Sequence, residues 1–297
     1  MPRSPRMLFA FVLGFGLVAA QPALHLVAAP APGQSQQASL QPVAAISADI
    51  PFHADEYQTE QQLLTLANQA RRQAGVPALK VDAGLSNAAR MHAMSMLEAR
   101  QLSHQFRGEP ALPQRLAATS PLILDHAGEN VALDYDAQHG HEHLMLSPPH
   151  RANLLNPAYN VVGLGVVRGG DRLYIVQDFG HALPSYTATE VKDRVTAALI
   201  QKRHQARRSQ LPRRDLAEAD GAACSMAQAD RLGTTPVLQL AERSTVLTYT
   251  TLHPEMLPSQ TLRAIGSRNL HSFSVGSCFS RTATYPTGVY WVVLALE

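Results

Sequence analysis

The chain has 297 residues, 45% hydrophobic and 16% charged, which suits packed cores in one or two domains. Residues 1–20 hold Arg3 and Arg6 and no acid, so without them the basic and acidic side chains balance. No global field then points to nucleic acid or to an anionic membrane as a partner.

Arg3 and Arg6 precede an apolar run over residues 8–20 that ends in Val18-Ala19-Ala20, the pattern of a secretory signal. The run is short for a membrane span, and an uncleaved anchor is the alternative. Residues 21–54 are rich in Ala, Pro and Gln and read as a disordered linker. Thr59-Glu60-Gln61-Gln62 resembles a capping box, and Leu63, Ala67 and Ala70 follow at helical spacing until Gly75 and Pro77. Asp82 can cap a second helix with Leu85, Ala88, Ala89, Met96 and Ala99 on one face. His92 shares that face and reads as a packed helix residue rather than a ligand. Ser103-His104 follows where the chain turns loop-like, and residues 114–118 form one short amphipathic piece. Gly128-Glu129-Asn130 reads as a tight turn, with Asn130 bonding the local backbone. A helix is expected over residues 136–146, stopping before Pro148-Pro149, with His150 in a Pro-bounded loop. Residues 161–167 and 172–179 are strand-like, joined by the hairpin signal Arg168-Gly169-Gly170-Asp171.

Residues 186–297 partly repeat this order. A constant offset places Leu85 on Leu216, Ala88 on Ala219 and Arg100 on Arg231. Gln69-Ala70-Arg71-Arg72 is echoed by Gln205-Ala206-Arg207-Arg208, Val162-Gly163 by Val275-Gly276, and Tyr174-Ile175-Val176 by Tyr290-Trp291-Val292. Nothing there matches residues 128–130 or 147–151. The basic run over residues 192–214 reads as a solvated helix face. Export makes a Cys224–Cys278 disulfide the expected state of the two cysteines.

Imidazole and carboxylate are zinc ligands and also general acids and bases, so His104, Glu129 and His150 are the leading constellation if the fold brings them together. Their long separations are unlike a local metal motif. His139, His141 and His143 cluster with Glu142 and read as a solvated helix end. Glu142 is the nearby carboxylate that can join His150 from this helix. There is no G-x-S-x-G motif, phosphate loop or dinucleotide fingerprint.

These phrases carry a resemblance. Leu66-Ala67-Asn68-Gln69-Ala70-Arg71 with Gly75 and Leu79, then Ser103-His104, Gly128-Glu129-Asn130, Ser147-Pro148-Pro149-His150-Arg151-Ala152-Asn153-Leu154-Leu155 and Val162-Gly163-Leu164-Gly165 resemble the bacterial branch of the CAP superfamily, also called the SCP domain. The resemblance implies an α+β fold, a CAP-like α-β-α sandwich over residues 55–185; the partial repeat, not the resemblance, points to a smaller α+β domain over 186–297 that is either separate or a degenerate CAP-like half. The resemblance also implies a cleft in which two histidines and two glutamates hold zinc or another divalent metal. His104, Glu129 and His150 match three of these. The position of the second glutamate falls near Ser147, with Glu142 as a nearby substitute.

Two functions compete. The first is a secreted or periplasmic module whose cleft, lined by His104, Glu129, His150, Glu142 and Asn130, binds a small apolar ligand such as a lipid or sterol, or an extracellular protein, without strong membrane interaction. The second is a metal-dependent hydrolase with His104, Glu129 and His150 around an activated water. The incomplete ligand set and the absence of a clear nucleophile favour binding over catalysis.

Overall fold

A computed structural model of the protein describes residues 53–297. The expected signal (1–20) and nearly all of the expected linker (21–54) lie outside the described residues; helix α1, Ala54–Gln73, begins at the linker's last position. The capping box at Thr59 is not used, because the helix starts at Ala54, well before the position the pattern suggested. His53 is its N-cap, without a side-chain cap bond, and the Thr59 hydroxyl donates back to Asp55 O. Asp82 does cap α2, Ala83–Ala99, accepting from Leu85 N at 2.8 Å. Then come α3, Leu112–Thr119; α4, Ala137–Leu146, capped by Asp136; and α5, Pro148–Leu154.

The first sheet runs β1-β3-β4-β2, from β1 (Lys80–Val81), β2 (Ile123–Asp134), β3 (Val161–Gly169) and β4 (Arg172–Leu183). β1 is parallel to β3; the other pairs are antiparallel. Side chains alternate across a strand, and the two faces sort accordingly. Val162, Leu164, Val166, Leu173, Ile175 and Phe179 pack with α1, α4 and α5. Val131, Val167, Tyr174 and Val176 pack with Ala89, Ala93 and Met96 of α2. Helices thus cover both faces, as an α-β-α sandwich requires. Gly163 and Gly165 let α2 press onto β3: a Cβ at either would fall on the α2 backbone at Leu85–Ser86 or Ala89–Arg90.

A smaller α+β layer follows. It consists of α6 (Ala188–Gln205), α7 (Ala217–Gln228), α8 (Leu238–Ala241), β5 (Thr245–Thr251), α9 (Ser259–Ile265), β6 (Phe273–Ser280) and β7 (Val289–Leu296). Its sheet runs β5-β7-β6, and Arg213 bridges Phe273 in parallel beyond β6. The first sheet has the same order once that bridge is set against β1. The local hydrogen bonds correspond too. Ser86 Oγ accepts from Leu164 N, and Asp220 Oδ1 accepts from Ser277 N. A Cβ on Gly276 would strike the Ala219 backbone, as one on Gly163 would strike Leu85. This register sets Leu85 against Ala219 rather than Leu216, and Arg71 against Arg203. The offset expected from sequence slipped because the loops between equivalent elements differ in length. Val162-Gly163 and Val275-Gly276 do correspond. Tyr290 falls opposite Ile175, since Gly163 pairs with Asp178 and Gly276 with Val293.

Within the basic run, Arg203 is 1% exposed. It donates to Ser209 O, Ile265 O and Ser267 O, so one cation of the supposed solvated face is a core strut. The cysteines form the expected disulfide, Cys224–Cys278, tying α7 to β6.

Candidate functional site

Strand β2 is the edge of the first sheet, and the site is built around it. On the α2/α3 side, the loop after α2 is held down by His92. This ring is fully buried, with Nε2 2.9 Å from Ser103 O and Nδ1 2.7 Å from Glu109 Oε1. Glu109 Oε2 accepts from Phe106 N in turn. The loop so fixed presents His104, whose side chain is 56% exposed and whose Nδ1 lies 2.8 Å from Glu129 Oε1. Arg115 of α3 donates to Glu129 Oε2 and to His104 O. Both oxygens of Glu129 are therefore taken, one by an imidazole and one by a guanidinium.

On the opposite face of β2, Asn130 Nδ2 donates to His150 O at 3.0 Å and to Gln177 Oε1 at 3.2 Å. Asn153 donates to Asn130 Oδ1 and Glu129 O. These bonds seat α5 against the edge strand and bring the His150 ring to 6.4 Å from that of His104, at 34°. Two imidazoles thus meet around the sheet edge, one from each side.

Behind Glu129, directly across the strand pair, sits fully buried Asp178. As a carboxylate, neither of its oxygens has a donor. Burial, then the negative charge of Glu129, pushes its carboxyl well above the usual range, and Arg115 only partly opposes this. Both effects favour the protonated form of Asp178, whose position pairs with Glu129 across the two strands. A native carboxyl that holds its proton where the unfolded chain has released it loses stability as pH rises above its ordinary value of 3.8. Asp178→Asn removes that loss. The variant is expected to be more stable than the parent at pH 7, with the difference vanishing towards pH 4, in urea midpoints taken at both. Equal differences at the two pH values would refute a protonated Asp178.

His150 is held below the usual histidine range, by burial first and by the neighbouring His104 second. In His104→Ala its titration, followed by imidazole proton NMR, should move upward. An unmoved curve would mean that the two rings do not sense each other.

The structure corrects several expectations. Residues 128–130 are not a turn but the middle of β2. Gly128 is required because a Cβ there would meet the Tyr159 hydroxyl, and Asn130 bonds across to α5 rather than to its own backbone. His150 lies within helix α5, not a loop, because the two prolines occupy its first turn, where no N–H is needed. Glu142 does not join His150: it is exposed and accepts from Gln138 within α4. The expected three-ligand set His104, Glu129 and His150 does not gather its donor atoms within 4.8 Å, which among the described residues one other group does. Its physical obstacle is Arg115, whose guanidinium sits on the carboxylate oxygen that a cation would need. The three histidines of α4 go separate ways: His139 to Asp136, His143 to Asp134, and His141, buried, into the interior. Sequence reasoning missed Arg115, Glu109 and Asp178. The polar pair Gln177-Asp178 interrupting an apolar strand was a signal for the last.

Residues 64–179 match the model of CAP, the cysteine-rich secretory protein family, and this part of the chain is a CAP domain. The chain is similar to an uncharacterized membrane protein, YlbC, of Bacillus subtilis (strain 168), 34% identical over 122 residues. That stretch is 41% of this chain and 34% of the relative, so the match spans about a third of the relative's length. Among solved structures it is similar to an extracellular SCP-domain protein from Bacillus anthracis, at 28% identity, 44% of each chain and a TM-score of 0.40. A cysteine-rich secretory protein from Staphylococcus aureus gives 22% identity, 43% of this chain, 40% of that one and a TM-score of 0.36. No described helix is long and apolar enough to cross a membrane.

Proposed function

We propose that this is an exported CAP-domain protein whose cleft binds a small apolar ligand, of lipid or sterol type, with His104 and His150 as the polar anchor at its mouth. The observation that carries this reading is the state of Glu129. A general base needs a free oxygen aimed at water or substrate, and both oxygens of Glu129 are engaged by His104 and Arg115. What remains open is a pair of imidazoles that can donate to or accept from a polar head. Apolar lining is at hand: Met145, Leu146, Pro148, Leu155 and Pro157 border a groove of about 530 Å³ along the helix that carries His150, and Leu146 is 79% exposed. Ligand pockets combine such lining with a few placed polar groups.

The second layer supports this domain as a degenerate copy that kept the scaffold and lost the site. The positions equivalent to Glu129 and Asp178 are Thr248 and Val293, paired in the same way. Its Arg281 donates to Ala117 O and Ser120 O, and Thr287 to Leu124 O, bracing α3 and β2. Export rests on the apolar run over residues 8–20, and cell fractionation with N-terminal sequencing tests it.

The binding test is saturable uptake of a fluorescent fatty acid or sterol by the mature protein. Uptake should weaken in Leu155→Glu and in a His104→Ala/His150→Ala double variant. Turnover of a peptide or ester library that vanishes in His150→Ala would overturn the reading in favour of a hydrolase.

A further inference from the structure

A second histidine cluster lies at the far end of β2, where the two halves of the described chain meet. We propose that Asp125, His126, His181 and His253 form a binding site for a divalent transition metal of the zinc class that clamps the CAP domain to the layer following it.

The local backbone explains how the cluster arises. Neighbours in a regular strand point to opposite faces. The β2–β4 register shifts between Leu124 and His126, so Asp125 is an extra residue opposite no partner. Such a bulge re-aims side chains, and here Asp125 and His126 turn to one side, towards His181, the cross-strand partner of His126. One Asp125 oxygen lies 2.9 Å from His126 Nδ1 and 2.7 Å from His181 Nδ1. The three donor atoms fall within 4.8 Å of one another.

His253, which stands outside that group of three, approaches from the turn after β5. Its Nε2 is 3.6 Å from the second Asp125 oxygen, while its Nδ1 faces Glu255 at 3.4 Å. A carboxylate on the remote ring nitrogen is the outer-shell arrangement that orients a histidine for metal. Two imidazoles and one carboxylate already gathered, with a third imidazole 3.6 Å from the carboxylate to close in as the fourth ligand, suit zinc, with nickel or copper as chemical alternatives. A tetrahedral ion with bonds of about 2.0–2.1 Å needs donors about 3.3 Å apart. The Asp125 contacts must therefore open by about half an ångström, which partly exposed rings allow: 63% for His126, 33% for His181 and 42% for His253. The exposure also gives an ion its path in. The cluster does not use His104, Glu129 or His150.

The test is a Zn²⁺ titration of the folded mature protein by competition with a chromogenic chelator, repeated with Co²⁺ for its tetrahedral absorption bands. The wild type is expected to bind one equivalent through these residues. His126→Gln, a change at an exposed side chain that keeps the fold, and His181→Ala should each abolish that equivalent. Glu255→Gln should weaken it about 10- to 100-fold, the usual effect of losing an outer-shell partner. His104→Ala and His150→Ala should leave it intact. A melting temperature that rises with Zn²⁺ in the wild type, and not in His126→Gln, would agree. No binding by the folded wild type, or binding unchanged in His126→Gln and His181→Ala, overturns the proposal. None of these outcomes depends on whether the cleft takes a lipid.

Discussion

Replacing Arg71 by Met should cost about 4 kcal/mol or more and loosen the site although Arg71 touches no ligand. Its side chain is fully buried, and it donates to four backbone carbonyls: Pro77 O, Leu154 O, Asn156 O and Tyr159 O. Met fills much of the volume but satisfies none of them. A buried carbonyl left without its donor costs about 1–3 kcal/mol, and several share the loss. Three of the four lie just after the helix that carries His150, or in its last turn. The same substitution should therefore shift the His150 imidazole signals, while Arg72→Met, at an exposed neighbour, should change stability by less than about 0.5 kcal/mol. Urea unfolding of the three proteins decides it, and equal midpoints for the Arg71 and Arg72 variants would sink the argument. Arg203, bonded to carbonyls at the end of α9, predicts a parallel loss in the second layer.

The sequence made the chemistry legible and misjudged the geometry. His104, Glu129 and His150 were readable because their flanking phrases are specific, and the fold does draw all three to one sheet edge. Their surroundings were not readable, because the determining contacts are long-range. Gly128 and Asn130 have turn-forming preferences and sit in a strand nonetheless. Tyr159 fills the space where a side chain on Gly128 would be, and α5 takes the hydrogen bonds of Asn130. That is tertiary packing overriding local propensity. Arg71 and Arg203 look like ordinary cations of a last helical turn, and only burial marks them as struts. Asp125 and His181 are 56 residues apart and meet through a one-residue bulge that no periodicity announces.

The Cys224–Cys278 disulfide closes a loop with a sequence separation of 54. On the chain-entropy model a loop of that size stabilises the fold by about 4 kcal/mol. The Cys224→Ser/Cys278→Ser double variant should lose about that much in urea unfolding, and the wild type measured with reductant should fall to the same value. The loss would begin in the second layer, where the bond ties α7 to the sheet beneath Trp291 and Val293. It reaches the CAP domain through Arg281 on Ala117 O and Ser120 O and Thr287 on Leu124 O, the contacts that brace the helix of Arg115 and the strand of Glu129. Lipid uptake by the double variant at 25 °C should therefore fall only under conditions where the second layer has already unfolded. Uptake that is lost while that layer remains folded would mean the disulfide acts on the cleft by a route these contacts do not supply. A midpoint that ignores both the double substitution and the reductant would show that the unfolded chain gains no freedom from losing the bond.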